Sequence, residues 1–330
     1  MVLLLLCLLA TLWLGPLGVA PPPPPPAPAG AVSFPYFRVP DHLYLCGEEV
    51  PLREPQVRED LDREFTIVVW SRAQTTMWLK RAHRYFPEIE HKIRTARLPL
   101  DLKYVVLVES DLRPKARSPA GALGPWQIMG PTAQRFQLKC NDTVDERLEL
   151  SVASDAALRY LAELYRFFHN WPLALAAYNC GEGRIQKEME AQGVKSFYHL
   201  SLPEETERYV HRVLAAKIVL EDPASYGYDI PEDQLYGLPD YDEVSFSTSK
   251  EVPVRTLAEA CGSYYKAIKG LNPWIKGASL PAGTYRLRLP KGSGLRFQEA
   301  YQKGLLEGGG SAGGGRNKGA GRAGKGRGSG

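Results

Sequence analysis

The sequence predicts a mainly α-helical protein with a small α+β module near its C-terminal end. Apolar residues recur at helical spacing through much of residues 54–232, most regularly in "DAALRYLAELYRFF". The composition changes near Pro239, and the alternation in "EVSFS" and "YRLRL" indicates two strands that enclose two short helices. A chain of 330 residues is long enough for about two such domains.

The N-terminal segment predicts export from the cytoplasm. Residues 1–20, "MVLLLLCLLATLWLGPLGVA", form an apolar run whose Gly18 and Ala20 suit signal peptidase. No basic residue precedes the run, so an uncleaved membrane anchor and a wrongly assigned start both stay open. Residues 21–40 predict a Pro-rich linker, since "PPPPPPAPAG" favours extended polyproline. We therefore expect a protein of the periplasm or cell envelope, held at the membrane if the signal is retained.

The body of the chain predicts two successive helical regions. Residues 41–97 form a helical N-terminal extension in which Pro87 marks a turn or a kink. Residues 98–232 form a second region, opened by "LPLDLKYVVLVES", where Pro99 suits a first helical turn and Pro114 stops the helix. The stretches "WPLALAAYN" and "EETERYVHRVLAAKIVL" predict further helices of this region.

The charge distribution argues against a nucleic-acid groove in the folded part. The net charge is +4, but the Gly-rich residues 308–330 contain five basic and no acidic residues, which leaves 36 basic and 37 acidic residues elsewhere. We place a basic, Gly-rich disordered tail at 293–330, since it offers little apolar surface to bury. Weak contact of this tail with anionic envelope polymers and an inert tail both stay open.

Four cysteines follow the predicted signal: Cys46, Cys140, Cys180 and Cys261. An exported protein can form disulfides, and four cysteines allow three pairings. One bridge, two bridges and free thiols all stay open. The sequence has no CxxC motif or Cys/His cluster, so we expect no zinc site.

Glu109 is the candidate for acid catalysis. It ends an apolar helical run, with Val105 and Val106 one turn earlier on the same face. Burial disfavours the charged form of a carboxyl and raises its pKa, which suits a general acid. The alternative is an ordinary solvated Glu at a helix end.

A second catalytic carboxyl is not evident near Glu109. Glycosidases usually place one roughly 5–5.5 Å away when they retain configuration and about 6.5–9.5 Å away when they invert it. Asp111 is nearest in sequence, but two helical positions turn a side chain by about 200°. We therefore expect Asp111 to point elsewhere.

The residues around Glu109 resemble the soluble lytic transglycosylase family. "ESDLRPKARSPAGALGPWQIM" is similar to its catalytic segment, "AAYNCGEGRI" to its Ala-Tyr-Asn-x-Gly helix, and "ETERYVHRVLAA" to its last helix. The resemblance covers about residues 95–232, and residues 60–97 also resemble the subgroup of membrane-bound lytic murein transglycosylase D. Pro125 departs from the pattern, because the family usually has a larger apolar residue there, and this puts one glycan contact in doubt.

The resemblance implies a lysozyme-like helical catalytic domain that cleaves peptidoglycan glycan strands without a metal or organic cofactor. Glu109 would protonate the oxygen between N-acetylmuramic acid and N-acetylglucosamine, and would then act as base on the muramyl O6 hydroxyl. That hydroxyl attacks C1 and leaves a 1,6-anhydromuramyl end, so no second carboxylate is needed. The remaining positions that match the family's glycan-binding pattern are Ser118, Gln127, Met129, Tyr178, Asn179 and Tyr209.

Those six positions have expected roles. Ser118 and Gln127 can donate hydrogen bonds to sugar N-acetyl groups. Tyr178 would hold the glycan or Glu109 through its hydroxyl, and Asn179 would fix a sugar or its own helix. Met129 and Tyr209 would line the cleft, although ordinary core packing stays open for Tyr178 and Met129.

Residues 240–292 resemble a divergent LysM module, a strand–helix–helix–strand unit that binds N-acetylglucosamine chains. The resemblance depends on "LNPWIKG" and "SLPAGTYRLRLP", whereas the usual Gly-Asp-Thr loop appears only as "EVPVRTL". A glycan-binding module and one that has lost affinity both stay open. We expect Cys261 in its core.

Two other functions are weighed against this one. A hydrolytic muramidase would use water, with a carboxylate such as Asp142 or Asp145 as a helper. A non-catalytic peptidoglycan-binding or scaffold protein would explain Pro125 and the divergent module. The retained Glu109 and its motif favour the lytic transglycosylase.

Overall fold

The computed structural model describes residues 35–306. The predicted export signal, most of the Pro-rich linker and the tail beyond residue 306 lie outside this range. Residues 38–306 belong to a single unit. Within residues 35–306, no helix combines the length and apolar character needed to cross a bilayer.

The predicted mainly α fold is confirmed. A short hairpin of β1 (Tyr44–Leu45) and β2 (Glu48–Glu49) precedes eight α-helices. The helices are α1 (Pro55–Trp70), α2 (Arg72–Thr95), α3 (Lys103–Ser110), α4 (Gly130–Arg135), α5 (Leu150–Phe168), α6 (Trp171–Cys180), α7 (Glu182–Gln192) and α8 (Glu204–Glu221).

Two local features of the helical N-terminal extension differ from a continuous helical pattern. The N-terminal extension is not helical throughout, because residues 44–49 form the β1–β2 hairpin, with Cys46 and Gly47 at positive φ in its turn. Pro87 does not produce a turn: α2 continues through it, and the break between α1 and α2 falls at Ser71.

Helix α3 lies at the centre of the helical body. Tyr104, Val105, Val106 and Leu107 are all buried, so a helix of only two turns is held by its packing against α2 and α8. It ends before Pro114, at Asp111, whose φ of 54° is left-handed and whose N–H donates to the carbonyl oxygen of Leu107 at 2.8 Å.

Helix α8 packs against α1, α3 and α6. Glu64 of α1 is buried, with 1% of its surface exposed, and it accepts hydrogen bonds from Arg208 at 2.7 Å and Arg212 at 3.3 Å. A buried carboxylate is tolerated when such charged donors satisfy it. The N-terminal extension thereby fixes the helix that carries Tyr209.

Residues 241–302 form the predicted α+β module and one helix more. Its elements are β3 (Tyr241–Thr248), β4 (Val252–Pro253), α9 (Val254–Ala260), α10 (Tyr265–Leu271), β5 (Ser279–Leu280), β6 (Gly283–Pro290) and α11 (Gly294–Gln302). β3 pairs with β6 antiparallel from Tyr241 opposite Pro290 to Thr248 opposite Gly283. Cys261 lies in the module's core, as predicted.

The predicted start of the disordered tail at residue 293 is wrong. Gly294–Gln302 is helical, and Phe297 and Leu306 are buried in the module's core. These two apolar side chains give the segment enough buried surface to order it. The prediction missed them because it extended the Gly-rich composition of residues 308–330 back to residue 293.

The segment of residues 141–147, which precedes α5 and which we call the module linker, holds the module against the helical body by backbone hydrogen bonds. The N–H of Asp145 donates to the carbonyl oxygen of Trp274, and the N–H of Lys276 donates to that of Thr143. Val144 and Ile275 form an isolated antiparallel bridge. Asp145 itself is fully buried and bonds Arg147 at 2.8 Å.

Candidate active site

A single open cleft gathers all seven positions singled out in the sequence. It encloses about 1360 Å³ and lies between α3, the loop that follows it, and the ends of α6 and α8. The predicted residues that line it are Glu109, Ser118, Gln127, Met129, Tyr178, Asn179 and Tyr209. Positions up to 100 residues apart in sequence therefore meet at one surface.

Glu109 reaches the cleft from the last turn of α3. Its carboxyl Oε1 accepts a hydrogen bond from the hydroxyl of Tyr209 at 2.6 Å. Burial raises the pKa of Glu109 to about 7, the Tyr209 hydrogen bond lowers it, and the negative charge of Glu205 raises it again. The carboxyl can therefore hold a proton near neutral pH and release it to a bound ligand.

The two tyrosines have different partners from those first expected. Tyr209, predicted as a cleft wall, is the hydrogen-bond donor to Glu109. Tyr178 instead donates to the backbone carbonyl of Trp126 at 2.8 Å, so its hydroxyl positions the cleft loop while its ring faces the cleft. Asn179 accepts a hydrogen bond from Thr206 at 2.8 Å, which ties α6 to α8.

The loop between α3 and α4 is held by its own polar groups. Ser118 Oγ accepts from the N–H of Ala122 at 3.0 Å, which leaves the hydroxyl hydrogen to donate. The Gln127 amide donates to the carbonyls of Ala116 at 3.1 Å and Gly124 at 2.7 Å. A hydrogen bond from Gln127 to a sugar would have to replace one of these.

Trp126 and Pro125 face away from the cleft. Trp126 is fully buried, and its indole N–H donates to Ser154 of α5 at 2.8 Å. Pro125 beside it is also buried and does not line the cleft. The departure at Pro125 thus lies on the packed side of the loop.

The carboxylates proposed as helpers lie elsewhere. Asp111 accepts hydrogen bonds from Trp78 at 2.6 Å and Gln74 at 3.0 Å of α2, and it does not line the cleft that Glu109 faces, as predicted. Asp145 is buried against Arg147 at the module linker, and Asp142 is exposed in that same linker; neither lines the cleft.

Sequence reasoning missed four polar residues of the cleft: Arg184, Glu205, Thr206 and Arg212. Three of them lie on α8, within four or fewer positions of Tyr209. A signal was present, because residues one turn apart on a helix share a face. Glu205 is the second acidic residue of the cleft.

Comparison with known proteins finds similarity over parts of this chain. Residues 89–201 match the family model of the Transglycosylase SLT domain. The chain is 30% identical over 233 residues to membrane-bound lytic murein transglycosylase D of Escherichia coli (strain K12), which is 68% of this chain and 50% of that protein. The chain thus spans about half the length of this relative.

Two further similarities cover less of the chain. Peptidoglycan transglycosylase gp16 of Escherichia phage T7 is 36% identical over 116 residues, 34% of this chain and 9% of that one. The crystal structure of the 70 kDa soluble lytic transglycosylase from Escherichia coli covers 50% of this chain and 30% of its own, with 23% identity and a TM-score of 0.38.

The family match contains six of the seven predicted site residues and ends before Tyr209. Residues 89–201 of this chain are thus similar to the Transglycosylase SLT domain family.

Proposed function

We propose that this protein is a peptidoglycan lytic transglycosylase. It cleaves the β-1,4 bond between N-acetylmuramic acid and N-acetylglucosamine and leaves a 1,6-anhydromuramyl end. The observation that carries the proposal is Glu109, a carboxyl with a pKa of about 7 in an open cleft lined by polar side chains.

Glu109 acts twice in the proposed reaction. As an acid it gives its proton to the bridging oxygen, and the bond from that oxygen to the muramyl C1 breaks. As a base it then takes the proton of the muramyl O6 hydroxyl, whose oxygen bonds to C1. The carboxyl ends protonated, as it began, and no water is consumed. Holding O6 next to C1 can contribute up to about 7–11 kcal/mol in well-aligned cases.

The cleft has two acidic residues, and the proposal gives only one of them a catalytic role. Among the residues that line it, only Glu109 and Glu205 carry carboxyls, and Glu205 is exposed at the first turn of α8. Glu205 is the second carboxyl that a hydrolytic muramidase would need. We assign it instead an electrostatic role, since its charge raises the pKa of Glu109.

Other cleft residues bind the glycan in this proposal. The free hydroxyl hydrogen of Ser118 donates to an N-acetyl oxygen, as does the Gln127 amide once a loop bond is exchanged. The amide N–H groups of Asn179 donate to the adjacent sugar while its oxygen keeps Thr206. Met129 is exposed and gives the sugar ring an apolar surface.

Product analysis tests the reaction. Purified sacculi are digested with the protein, and the released muropeptides are weighed by mass spectrometry. Anhydro ends are lighter than reducing ends by one water, so the spectrum separates a transglycosylase from a muramidase. Reducing ends alone would assign the protein as a hydrolase, and no release at all would favour a non-catalytic binding protein.

The proposal extends to location and to the module. A relative that is named membrane-bound supports a site of action at the cell envelope. The strand–helix–helix–strand order of β3, α9, α10 and β6 supports a LysM-like module that holds glycan strands. Binding of the isolated protein to insoluble chitin, a polymer of N-acetylglucosamine, tests that role separately from catalysis.

A further inference from the structure

A second, basic pocket lies next to the cleft, between the helical body and the module. It encloses about 890 Å³. Five cationic side chains and one carboxylate, that of Asp145, are found among its lining residues. The cations are Lys115, Arg117, Arg147, Lys269 and Lys276.

One stretch of backbone separates this basic pocket from the cleft. Residues 117, 121 and 123 line the basic pocket, whereas residues 118, 120 and 122 line the cleft. Pro119 also lines the cleft, and residues 118–121 form a turn in which the N–H of Gly121 donates to the carbonyl oxygen of Ser118 at 3.1 Å. Arg117 and Leu123 form an antiparallel bridge at the base of this turn. Adjacent Cα atoms are about 3.8 Å apart, so Ser118 in the cleft and Arg117 in the basic pocket are immediate neighbours.

The positive charges of the basic pocket exceed what Asp145 neutralises. Arg147 forms the direct ion pair with Asp145, whereas the nearest Lys276 contact to it is 3.9 Å. Lys269 donates to the carbonyls of Ile275, of Lys276 at 2.9 Å and of Gly277 at 2.8 Å, and it forms no ion pair with a carboxylate in the described part of the chain.

Lys115 and Arg117 complete the excess of positive charge. Within residues 35–306, neither side chain makes a hydrogen bond or an ion pair, and both are exposed. The pKa of Lys269 is lowered, first by burial and then by the positive charge of Lys115, so these cations are close enough to repel one another. An anionic ligand would relieve that repulsion.

We propose that the basic pocket binds carboxylates of the peptide that projects from the glycan strand in the cleft. The inference rests on the proposed function, because N-acetylmuramic acid carries a peptide whose free ends are carboxylates. A strand in the cleft would lie next to Ser118, and its peptide could reach Arg117, the preceding residue, in the basic pocket. The pocket would then favour peptide-bearing strands over bare glycan.

The test compares two substrates that differ only in the peptide. Soluble glycan strands are used as prepared, or after an amidase has removed their peptides, and anhydro ends are counted. The double variant Lys115→Gln/Arg117→Gln changes two exposed side chains that make no hydrogen bond or ion pair within residues 35–306. The matched control is Arg53→Gln/Lys250→Gln, which removes one exposed Arg and one exposed Lys outside both pockets.

We expect the wild type to have a lower KM for peptide-bearing strands than for bare ones. The double variant should reduce this KM ratio by about threefold to tenfold, as expected for two partly screened charge contacts. The control should keep the wild-type ratio. Added salt should weaken the preference of the wild type and leave that of the double variant almost unchanged.

Three outcomes would overturn the inference. The first is a KM ratio that the double variant leaves at the wild-type value. The second is an equal rise in KM on both substrates. The third is a double variant that keeps its preference for peptide-bearing strands but loses binding to vesicles of anionic phospholipid, which would assign the basic pocket to membranes.

Failure of the proposed function gives a different result. In that case the wild type releases no anhydro ends from either substrate. A binding measurement then tests the inference by itself. The Glu109→Gln protein, with and without Lys115→Gln/Arg117→Gln, is titrated with peptide-bearing strands and with bare strands. Equal affinity for both kinds of strand would contradict it.

Discussion

The hydroxyl of Tyr209 donates a 2.6 Å hydrogen bond to Oε1 of Glu109. This bond joins the last turn of α3 to the middle of α8, and it opposes the effect of burial on the same carboxyl. Burial disfavours the carboxylate, whereas the hydrogen bond stabilises it. The resulting pKa of about 7 lets one group serve as acid and then as base at neutral pH.

Replacing Glu109 by Gln should abolish cleavage. The amide has nearly the same size but has no acidic proton, so we expect a loss of at least about 100-fold, typical for a general acid. In the wild type, the rate should fall as pH rises above about 7, because the proton needed for the first step is lost. Anhydro-end counts over a pH series measure both. Residual cleavage with a wild-type pH profile would contradict the mechanism.

The same variant should change stability in a pH-dependent way. The pKa of Glu109 is raised from its ordinary value of 4.5 to about 7, so the folded protein holds this proton more tightly than the unfolded chain. The wild type therefore loses stability as pH rises from 4.5 towards 7, and Gln does not. The free energy of unfolding of the variant should match the wild type near pH 4 and exceed it by about 1–2 kcal/mol near pH 8, allowing for screening by cleft water.

Tyr209→Phe should move the descending limb of the pH–rate profile to higher pH. The hydroxyl lowers the pKa of Glu109, so its removal raises that pKa further. At neutral pH the rate should change by less than about tenfold, since one hydrogen bond is lost. Tyr178→Phe is the control: its hydroxyl bonds the Trp126 carbonyl, and the limb should stay in place. Equal shifts in both variants would show that the Tyr209 bond has no special effect.

Glu205→Gln should move the same limb to lower pH. The charge of Glu205 raises the pKa of Glu109, and an amide removes that charge. Stability should fall by less than about 1 kcal/mol, the value of an acidic residue near a helix N-terminus. The products should remain anhydro ends. If Glu205 were a catalytic carboxyl of a muramidase, cleavage would instead be lost and the wild type would yield reducing ends.

Gly124→Ala should destabilise the protein far more than Gly121→Ala, although both glycines lie in the cleft loop at φ near 90°. A Cβ on Gly124 would stand 1.8 Å from the carbonyl oxygen of Arg147, whereas one on Gly121 meets nothing within 4 Å. We expect about 1–2 kcal/mol for the left-handed strain at Gly121 and at least about 3 kcal/mol at Gly124, where steric overlap adds to it. Thermal unfolding of the two variants measures the difference, and equal losses would mean that the contact with Arg147 relaxes freely.

The helices α3, α5, α6 and α8 were predicted from the sequence and each buries several apolar residues, whereas α4 and α7, which bury one residue each, were not predicted. α5 and α8 follow the periodicity directly. α6 begins at Trp171, with Pro172 in its first turn and the side chain of Asn170 accepting a hydrogen bond from the N–H of Leu173. The errors fell where a local signal competed with packing. Pro87 lies inside α2 without ending it, and the segment after residue 293 buries two apolar side chains, Phe297 and Leu306, that a compositional argument overlooks.

The site residues were predictable as a set, but their partners were not. A family resemblance places Tyr178 and Tyr209 near a glutamate, yet only the crossing of α3 and α8 decides which hydroxyl reaches it. Glu205 was overlooked because its influence on Glu109 acts through space rather than through a motif. The basic pocket was overlooked for the same reason: no motif contains its cations, two of which come from the cleft loop and two from the module.

The contact between Glu64 and the arginines of α8 bears on how this protein can be shortened. A fragment trimmed to residues 89–201, the limits of family likeness, would omit both Glu64 and Tyr209. Its glutamate would have no phenolic donor, and the surface of α3 that α8 covers would face water. The smallest piece that retains the proton chemistry must therefore run from the first long helix through α8, well past both limits of the recognisable motif.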